Sequence, residues 1–243
     1  MSSRERADRL LVTRGLFESR ARAQAAIAAG LVTADGVRVR KASEEISLSA
    51  DISAEAEHPY VSRGGVKLAA ALDHFSLDVT GRVCLDVGAS TGGFSEVLIM
   101  HGARRVYAVD VGQGQLHPRL HGNGRIVSIE KADIRTLNPS QLAEQPDLAT
   151  IDVSFISLKL VLPAVAKLLA SHATLVALIK PQFEAPRSTI KKGIVRDQTV
   201  HAAVCDDITA FLIALGWRIG GVIPSPIAGG DGNREFLIEA ERD

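Results

Sequence analysis

The pattern of hydrophobic and polar residues changes between residues 55 and 64, and this change in pattern divides the chain into two parts. In the first 55 residues, apolar residues recur at helical spacing over 5–16 and 20–29, a hairpin with its turn at 34–36 follows, and one more strand is predicted over 46–52. From residue 64 onward, amphipathic stretches alternate with continuous apolar ones. This pattern predicts helices over 64–75, 92–102, 157–170 and 199–215, and strands over 83–88, 105–111, 126–130, 148–153, 173–180, 217–223 and 235–239.

Apolar strands that alternate with helices are typical of a parallel sheet covered on both faces. The predicted fold class is therefore α/β, with a Rossmann-like, mostly parallel seven-stranded sheet and a small N-terminal α+β domain. The stretch 54–62, with Glu55, Glu57 and Pro59, has the composition of a linker. We therefore predict domains over 1–60 (with the linker) and 61–243. Ligands of such sheets bind at the carboxyl ends of the strands.

The charges change the picture of the first domain. The 243 residues hold 28 basic and 28 acidic side chains, but residues 1–41 carry nine basic and four acidic ones. A small basic unit is typical of a protein that binds a phosphate backbone, although scattered arginines also occur on solvated helix faces. Cys84 and Cys205 match no metal-ligand spacing, no apolar stretch has membrane-spanning length, and no signal segment opens the chain. These features predict a cytoplasmic protein without a metal site or stable membrane insertion.

Candidate chemistry begins at a glycine-rich turn. The predicted strand over 83–88 runs into Asp86-Val87-Gly88-Ala89-Ser90-Thr91-Gly92-Gly93-Phe94. Glycines permit a tight turn and a close backbone approach to a ligand. The next strand ends at Asp110, the usual place for an acid that binds a ribose diol, and Asp133 and Asp152 follow the next two strands. These acids are predicted to meet at one edge of the sheet.

Three kinds of site compete for this turn. The turn lacks the G-x-G-x-x-G spacing of a nicotinamide or flavin site. The segment Gly88-Ala89-Ser90-Thr91-Gly92 matches the nucleophile elbow G-x-S-x-G, but a hydrolase needs more strands upstream and a late histidine, and His201 lies in a predicted helix. Acids around a glycine turn suit S-adenosylmethionine, a cationic sulfonium without phosphate. This interpretation is favoured, with Asp86 near the amino group, Asp110 at the ribose and Asp133 near the adenine.

Seven motifs carry a family resemblance. They are Ser62-Arg63-Gly64-Gly65-x-Lys67-Leu68, the turn 86–94, Asp110-Val111-Gly112-x-Gly114-Gln115-Leu116, Asp152-Val153-Ser154-Phe155-Ile156-Ser157, Lys180-Pro181-Gln182-Phe183-Glu184, Lys192-Gly193-Ile194-Val195-Arg196-Asp197 and Gly232-Asn233-x-Glu235. In these, the second domain resembles the FtsJ-like 2′-O-ribose methyltransferases, and the whole chain resembles the TlyA family of rRNA methyltransferases, whose members are also called hemolysins. The resemblance implies an S-adenosylmethionine site formed by Asp86, Gly88, Ser90, Thr91, Gly92, Gly93, Phe94, Asp110, Val111, Asp133, Ile134 and Asp152.

The resemblance also implies a catalytic tetrad. A ribose 2′-hydroxyl is a weak acid and a poor nucleophile, so its methylation needs an aligned methyl group and a proton acceptor. Lys67, Asp152, Lys180 and Glu235 match the Lys-Asp-Lys-Glu tetrad of the family. By that likeness Lys180 is the general base, Asp152 and Lys67 tune and orient it, and Glu235 positions the hydroxyl. Taken singly, a lysine or aspartate at a strand end is more often part of a surface ion pair.

The first domain resembles the S4-type RNA-binding domain. The matching residues are Arg6-x-x-Arg9-Leu10-Leu11, Gly15, Ser19-Arg20-x-x-Ala23, Ile27, Gly30-x-Val32, Gly36 and Lys41, with Asp35-Gly36 in place of the usual Asn-Gly turn. The likeness implies RNA contacts by Arg6, Arg9, Arg20, Arg22 and Lys41. Further candidates for phosphate contacts beside the active site are Arg63, Lys192 and Arg196, for which solvated surface is an equal alternative. Phe183 is a candidate lining residue of the target-nucleotide pocket, with core packing as its alternative.

The favoured function is therefore S-adenosylmethionine-dependent 2′-O-methylation of rRNA, at cytidines according to the resemblance, with ribosomal subunits as partners. Two alternatives remain open at this point. A pore-forming hemolysin would need a membrane-inserting segment. A ribosome assembly factor would bind RNA and retain the pocket without turnover.

Overall fold

The computed structural model describes residues 3–55, 58–229 and 232–243. The chain divides into two compact units, Met1–Pro59 and Tyr60–Asp243. Residues 56 and 57 of the predicted linker lie outside the described residues. Each unit has its own cluster of buried apolar side chains.

The first unit contains two helices and five short strands. Ser19 begins the second helix because its hydroxyl accepts a hydrogen bond from the backbone N–H of Arg22, and Gly30 ends it in a left-handed conformation. The single strand predicted over 46–52 is wrong: two strands occupy this region, and they belong to different sheets. The elements are β1 (Arg4–Arg6), α1 (Ala7–Thr13), α2 (Arg20–Ala29), β2 (Val32–Ala34), β3 (Val37–Arg38), β4 (Glu45–Ser47) and β5 (Ile52–Ala54).

The second unit alternates helices and strands, as the apolar pattern predicts. The observed helices begin and end within two residues of the predicted ones, and a short additional helix follows the strand that ends at Ile179. The elements are α3 (Arg63–His74), β6 (Val83–Val87), α4 (Gly93–Met100), β7 (Arg105–Val109), β8 (Ile126–Ile129), β9 (Leu148–Ile151), α5 (Leu158–Leu168), β10 (Ala173–Ile179), α6 (Pro181–Glu184), α7 (Gln198–Ala214), β11 (Arg218–Pro224) and β12 (Phe236–Arg242).

The sheet of the second unit confirms the predicted α/β class. Within the described residues it has seven strands in the order β11-β12-β10-β9-β6-β7-β8. The strands β10, β9, β6, β7 and β8 are parallel to one another, whereas β12 lies antiparallel between β10 and β11. The carboxyl ends of the parallel strands therefore meet at one edge of the sheet.

Apolar side chains of the central strands point alternately to the two faces of the sheet, and helices cover both faces. In β10, Leu175 and Ala177 face one cluster of buried side chains, while Val176 and Leu178 face another. Helices α5 and α7 contribute to the first cluster, and α3 and α4 contribute to the second. Both faces of the central strands are thus removed from water, which accounts for their continuous apolar sequence.

Candidate active site

Among the described residues, two neighbouring cavities open at the carboxyl edge of the parallel strands. The smaller has a volume of about 400 Å³ and the larger about 450 Å³. Gly88, Ser90 and Asp152 line both of them. Since both volumes lie in the range of small-molecule sites, this edge can accept an extended ligand or two ligands side by side.

Gly88 allows the turn after β6 to pass close to the loop after β9. Its φ is +80°, and a Cβ atom at this position would lie 2.4 Å from the carbonyl oxygen of Asp152. Any other residue would therefore push the two loops apart. The glycine that the sequence assigns to a ligand turn also keeps Asp152 next to that turn.

Asp110 is held at the larger cavity by backbone groups. Its Oδ2 accepts a hydrogen bond of 2.8 Å from the backbone N–H of Ser90, and its Oδ1 accepts one of 2.7 Å from that of Gly112. Each carboxylate oxygen has a further lone pair for a ligand hydroxyl. Val111 and Ile134 add apolar surface to the same cavity. This combination suits a nucleoside, with a diol at the carboxylate and a base beside the apolar side chains.

Asp133 lines the larger cavity as part of an ion pair. The guanidinium of Arg135 donates to both of its oxygens, at 3.0 Å from Nε to Oδ1 and 2.5 Å from Nη2 to Oδ2. The hydrogen bonds from this side chain lower the pKa of the Asp133 carboxyl. Asp133 is therefore an ionised acceptor in the cavity wall, and Arg135 is a wall residue that the sequence analysis did not identify.

Asp86, which is predicted near the amino group of the cofactor, lies beneath the glycine turn. Asp86 is fully buried, and neither cavity includes it in its lining. Its Oδ2 accepts a hydrogen bond of 2.6 Å from the hydroxyl of Ser95, and its Oδ1 accepts one of 3.1 Å from that of Thr150. Burial raises the pKa of this carboxyl to about 7. Asp86 thus ties β6 to β9 and α4 underneath the glycine turn.

Of the other predicted residues of the turn, three line the smaller cavity and one lies outside both cavities. Thr91, Gly93 and Phe94 line the smaller cavity. Gly92 lies outside both linings; its φ is +90°, and a Cβ atom there would meet the side chain of Leu120 at 2.4 Å. Gly92 therefore allows the turn to pack closely against Leu120.

The four predicted catalytic residues form two ion pairs. Lys67 in α3 lies 2.5 Å from Glu235, measured from Nζ to Oε2, and Lys180 lies 2.6 Å from Asp152, measured from Nζ to Oδ1. Lys67, Lys180 and Glu235 are buried, and Asp152 is partly exposed. Lys67 and Asp152 line the same smaller cavity, so residues that are far apart in sequence contribute to one site. Two buried ammonium groups and two carboxylates balance in charge here, as buried charges require.

An aromatic pair stands beside these ion pairs. Phe155 has 91% of its surface exposed and a φ of +64°, a conformation that is strained for a bulky residue. Its ring centroid lies 5.0 Å from that of Phe183. Phe155 lines the larger cavity, whereas Phe183 is outside both linings. An exposed ring held by strained backbone next to a polar site is suited to contact a flat ligand.

His201 does not fit the role that a hydrolase would need. It lies in α7, and its Nε2 is 3.0 Å from the carbonyl oxygen of Val195. It lines a separate cavity with Cys205 and Phe236. The positive φ of Ser90, 48°, is compatible with a nucleophile elbow, but no histidine among the described residues lines either of its cavities; the charged side chains there include Lys67, Asp110 and Asp152.

The predicted RNA-contact residues fall into two groups. Arg6 and Arg20 form ion pairs with the fully buried Asp8, at 3.0 and 2.8 Å, and Arg22 donates to the carbonyl oxygen of His58. Arg63 lines the smaller cavity and donates to the carbonyl oxygen of Ala228 at 2.6 Å. The remaining candidates have their surfaces exposed to solvent, and they are Arg9, Lys41, Lys192 and Arg196.

Comparison with known proteins supplies the family. A model of FtsJ-like methyltransferases matches residues 60–242, and a model of the S4 domain matches residues 5–52. The chain is 41% identical over 241 residues to the 16S/23S rRNA (cytidine-2′-O)-methyltransferase TlyA of Mycobacterium tuberculosis, covering 98% of this chain and 90% of that protein. It is 39% identical over 234 residues to hemolysin A of Brachyspira hyodysenteriae, covering 96% and 98% of the two chains.

A solved structure described as a hemolysin from Streptococcus thermophilus has the same overall fold. It has a TM-score of 0.78 and 44% identity, and the match covers 100% of this chain and 90% of the other. No helix in the described part of our chain combines the length and apolar character needed to cross a bilayer. The family resemblance inferred from the motifs is confirmed by these matches. The chain belongs to the FtsJ-like methyltransferases, in the group that includes TlyA.

Proposed function

We propose that this protein transfers a methyl group from S-adenosylmethionine to the 2′-hydroxyl of a ribose in rRNA, at cytidine. The observation that carries the proposal is the presence of two ion pairs, Lys67–Glu235 and Lys180–Asp152, beside a cavity whose lining suits a nucleoside. The identity to TlyA, named as an rRNA (cytidine-2′-O)-methyltransferase, supports both the reaction and the base.

The larger cavity fits the nucleoside part of the cofactor. Asp110 has acceptor capacity for the ribose hydroxyls, and Val111 and Ile134 offer apolar contacts to the adenine. Asp133 is an acceptor for a ring amino group in the same wall. The methionine part would lie along the glycine turn, towards Thr91 and Asp152 in the smaller cavity. When bound there, the cofactor supplies a methyl carbon made electrophilic by its sulfonium.

Lys180 is the proposed general base. It must accept the proton of the 2′-hydroxyl on Nζ, for which it must be present as the neutral amine. Asp152 then stabilises the ammonium that forms, because its Oδ1 lies 2.6 Å away. Lys67 and Glu235 are held to each other by their ion pair and are proposed to orient the hydroxyl.

The basic residues of the first unit are proposed to bind rRNA. The match to the S4 domain and the exposed Arg9 and Lys41 support this role, and Lys192 and Arg196 offer further cations on the second unit. Ribosomal subunits are the proposed form of the substrate, and the cytoplasm is the proposed location. Arg6 and Arg20 are proposed to act through Asp8 as well as through RNA, because their guanidinium groups already bind that carboxylate.

A transfer assay tests the proposal. Purified protein is incubated with labelled S-adenosylmethionine and ribosomal subunits, and label in rRNA is measured. We expect transfer by the parent protein and a loss of about 100-fold or more in Lys180→Ala, with cofactor binding retained. Lys167→Ala is the matched control, because Lys167 is exposed at the end of α5; it should transfer like the parent.

Other outcomes would contradict the proposal. Cofactor binding without transfer to any rRNA would indicate an assembly factor, and lysis of liposomes without transfer would indicate a pore. Full activity in Lys180→Ala would disprove the general-base assignment alone. Mapping 2′-O-methyl groups in rRNA from cells with and without the protein identifies the nucleotide and the subunit.

A further inference from the structure

The ammonium group of Lys180 has a second acceptor that the tetrad does not include. Its Nζ donates a hydrogen bond of 2.9 Å to Oγ of Ser154, in addition to the 2.6 Å contact with Oδ1 of Asp152. Both acceptors come from the loop that follows β9, two residues apart. Ser154 also lines the larger cavity. Its hydroxyl therefore stands between the proposed base and the proposed cofactor site.

The stereochemistry of an amine gives this second acceptor a function. A protonated lysine has three N–H donors, but the neutral amine that accepts a proton has two N–H bonds and one lone pair. A single acceptor would leave the amine able to rotate about its C–N bond. The hydroxyl of Ser154 accepts one N–H bond, and the carboxylate of Asp152, in ion-pair contact at 2.6 Å, attracts the other; together they fix the direction of the lone pair.

We propose that Ser154 is a positioning residue that directs the lone pair of Lys180 towards the ribose hydroxyl; this inference rests on the proposed function of Lys180. Ser154 does not take part in bond making. It holds the amine in the rotamer whose lone pair points to the ribose hydroxyl. The rate of proton transfer depends on this alignment.

A pair of variants isolates the hydroxyl. Ser154→Thr and Ser154→Val place side chains of nearly the same shape in the loop, but only threonine retains the hydroxyl. Methyl transfer to ribosomal subunits is measured on the alkaline plateau of the pH–rate profile, where the rate no longer rises with pH. We expect Ser154→Val to lower kcat about tenfold with unchanged KM for RNA and cofactor, and Ser154→Thr to retain most of kcat.

Ser157→Ala is the control for the loop itself. The Ser157 hydroxyl bonds to Glu184 and to the start of α5, not to Lys180, so its removal should leave kcat unchanged. Calorimetric binding of S-adenosylhomocysteine to each variant verifies that the site is folded.

Each result decides the proposal. Equal kcat in the threonine and valine variants, or an equal loss in Ser157→Ala, would overturn the positioning role while leaving the proposed function intact. A parent protein that transfers no methyl group would overturn the proposed function itself, and the role of Ser154 with it.

Discussion

Asp86 is a carboxyl group whose ionisation opposes folding. It is fully buried, with the hydroxyls of Ser95 and Thr150 as hydrogen-bond donors, and burial raises its pKa from the ordinary 3.8 to about 7. Because the folded pKa lies above the unfolded one, the folded state binds the proton more tightly. The contribution of Asp86 to stability is therefore most favourable below the unfolded pKa and decreases as the pH rises from about 4 to about 7.

We expect Asp86→Asn to remove this pH dependence. The melting temperature of the variant relative to the parent should rise by about 4 °C or more from about pH 5 to about pH 8, because asparagine does not ionise. Thermal melts across this range measure the difference. Cofactor affinity should change little, since Asp86 lines neither cavity. A difference in melting temperature that does not change with pH would show that Asp86 is ionised in the folded protein over the whole range. A large loss of cofactor affinity would support the contact between Asp86 and the cofactor that the sequence predicts.

Phe155 offers a test of how the target nucleotide is held. The residue is 91% exposed, and its backbone φ is +64°. The centroid of its ring lies 5.0 Å from that of Phe183. We expect Phe155→Ala to raise KM for ribosomal subunits about tenfold, because an aromatic side chain that stacks on a base contributes roughly 1–3 kcal/mol. Phe155→Tyr, which keeps the ring, should behave like the parent.

Phe155 also lines the larger cavity, so the same variants separate two roles. Titration with S-adenosylhomocysteine measures the cofactor side independently of RNA. A weaker cofactor affinity with an unchanged KM for ribosomal subunits would assign the ring to the cofactor and reject the stacking role.

At the scale of elements, Asp8 connects the two helices of the first unit. It is fully buried in α1 and accepts hydrogen bonds from Arg20 and Gln24 of α2 as well as from Arg6. These hydrogen bonds, that of Arg6 first, hold the pKa of the Asp8 carboxyl far below its ordinary value. The position of α1 against α2 therefore depends on a buried charge as well as on apolar packing.

We expect Asp8→Ala to lower the free energy of unfolding of the first unit by roughly 1–2 kcal/mol, because it removes the acceptor of charged hydrogen bonds whose guanidinium donors are partly exposed. Hydrogen exchange of amides in α1 and α2 measures this loss. Asp51→Asn, at an exposed position of the same unit, is the control and should have little effect. Protection of the sheet in the second unit should stay unchanged, since that unit has a separate core. Unchanged protection in α1 and α2 would contradict the role of Asp8.

The elements also show what the sequence could predict and what it could not. Apolar periodicity predicts the helices and parallel strands of the second unit because burial on both faces makes β6, β9 and β10 continuously apolar. The insertion of β12 between β10 and β11 has no such local signal, because strand order depends on contacts between distant segments. The two strands within 45–54 were merged for a related reason: Ile46 and Ile52 are both apolar, but they pair with different sheets.

The same limit applies to the candidate site. The family resemblance selects Lys67, Asp152, Lys180 and Glu235, and the structure brings them together as two ion pairs. Side-chain pairing is not visible in sequence. The sequence therefore does not show that the oxygens of Asp86 accept hydrogen bonds from Ser95 and Thr150. Nor does it show that the hydroxyl of Ser154 accepts a hydrogen bond from Lys180, because a serine in a loop carries no periodic signal.

At the scale of the whole molecule, the two units carry different features. The first has its own core and a concentration of basic residues within 1–41, and the second contains both cavities and both ion pairs. This division explains why an assay of cofactor binding and an assay of transfer to ribosomal subunits report on different parts of the chain. The variants proposed above use that separation to distinguish loss of folding, of recognition and of chemistry.

The place of β12 in the sheet has a consequence for biosynthesis. A nascent polypeptide that has been translated only as far as residue 234 contains every parallel strand and three of the four tetrad residues, but neither Glu235 nor the strand that fills the gap between β10 and β11. Until then the ammonium of Lys67 has no carboxylate from Glu235, and β11 has no neighbour through which to join the sheet. Neither the seven-stranded sheet nor the Lys67–Glu235 ion pair can therefore be complete before translation has passed β12.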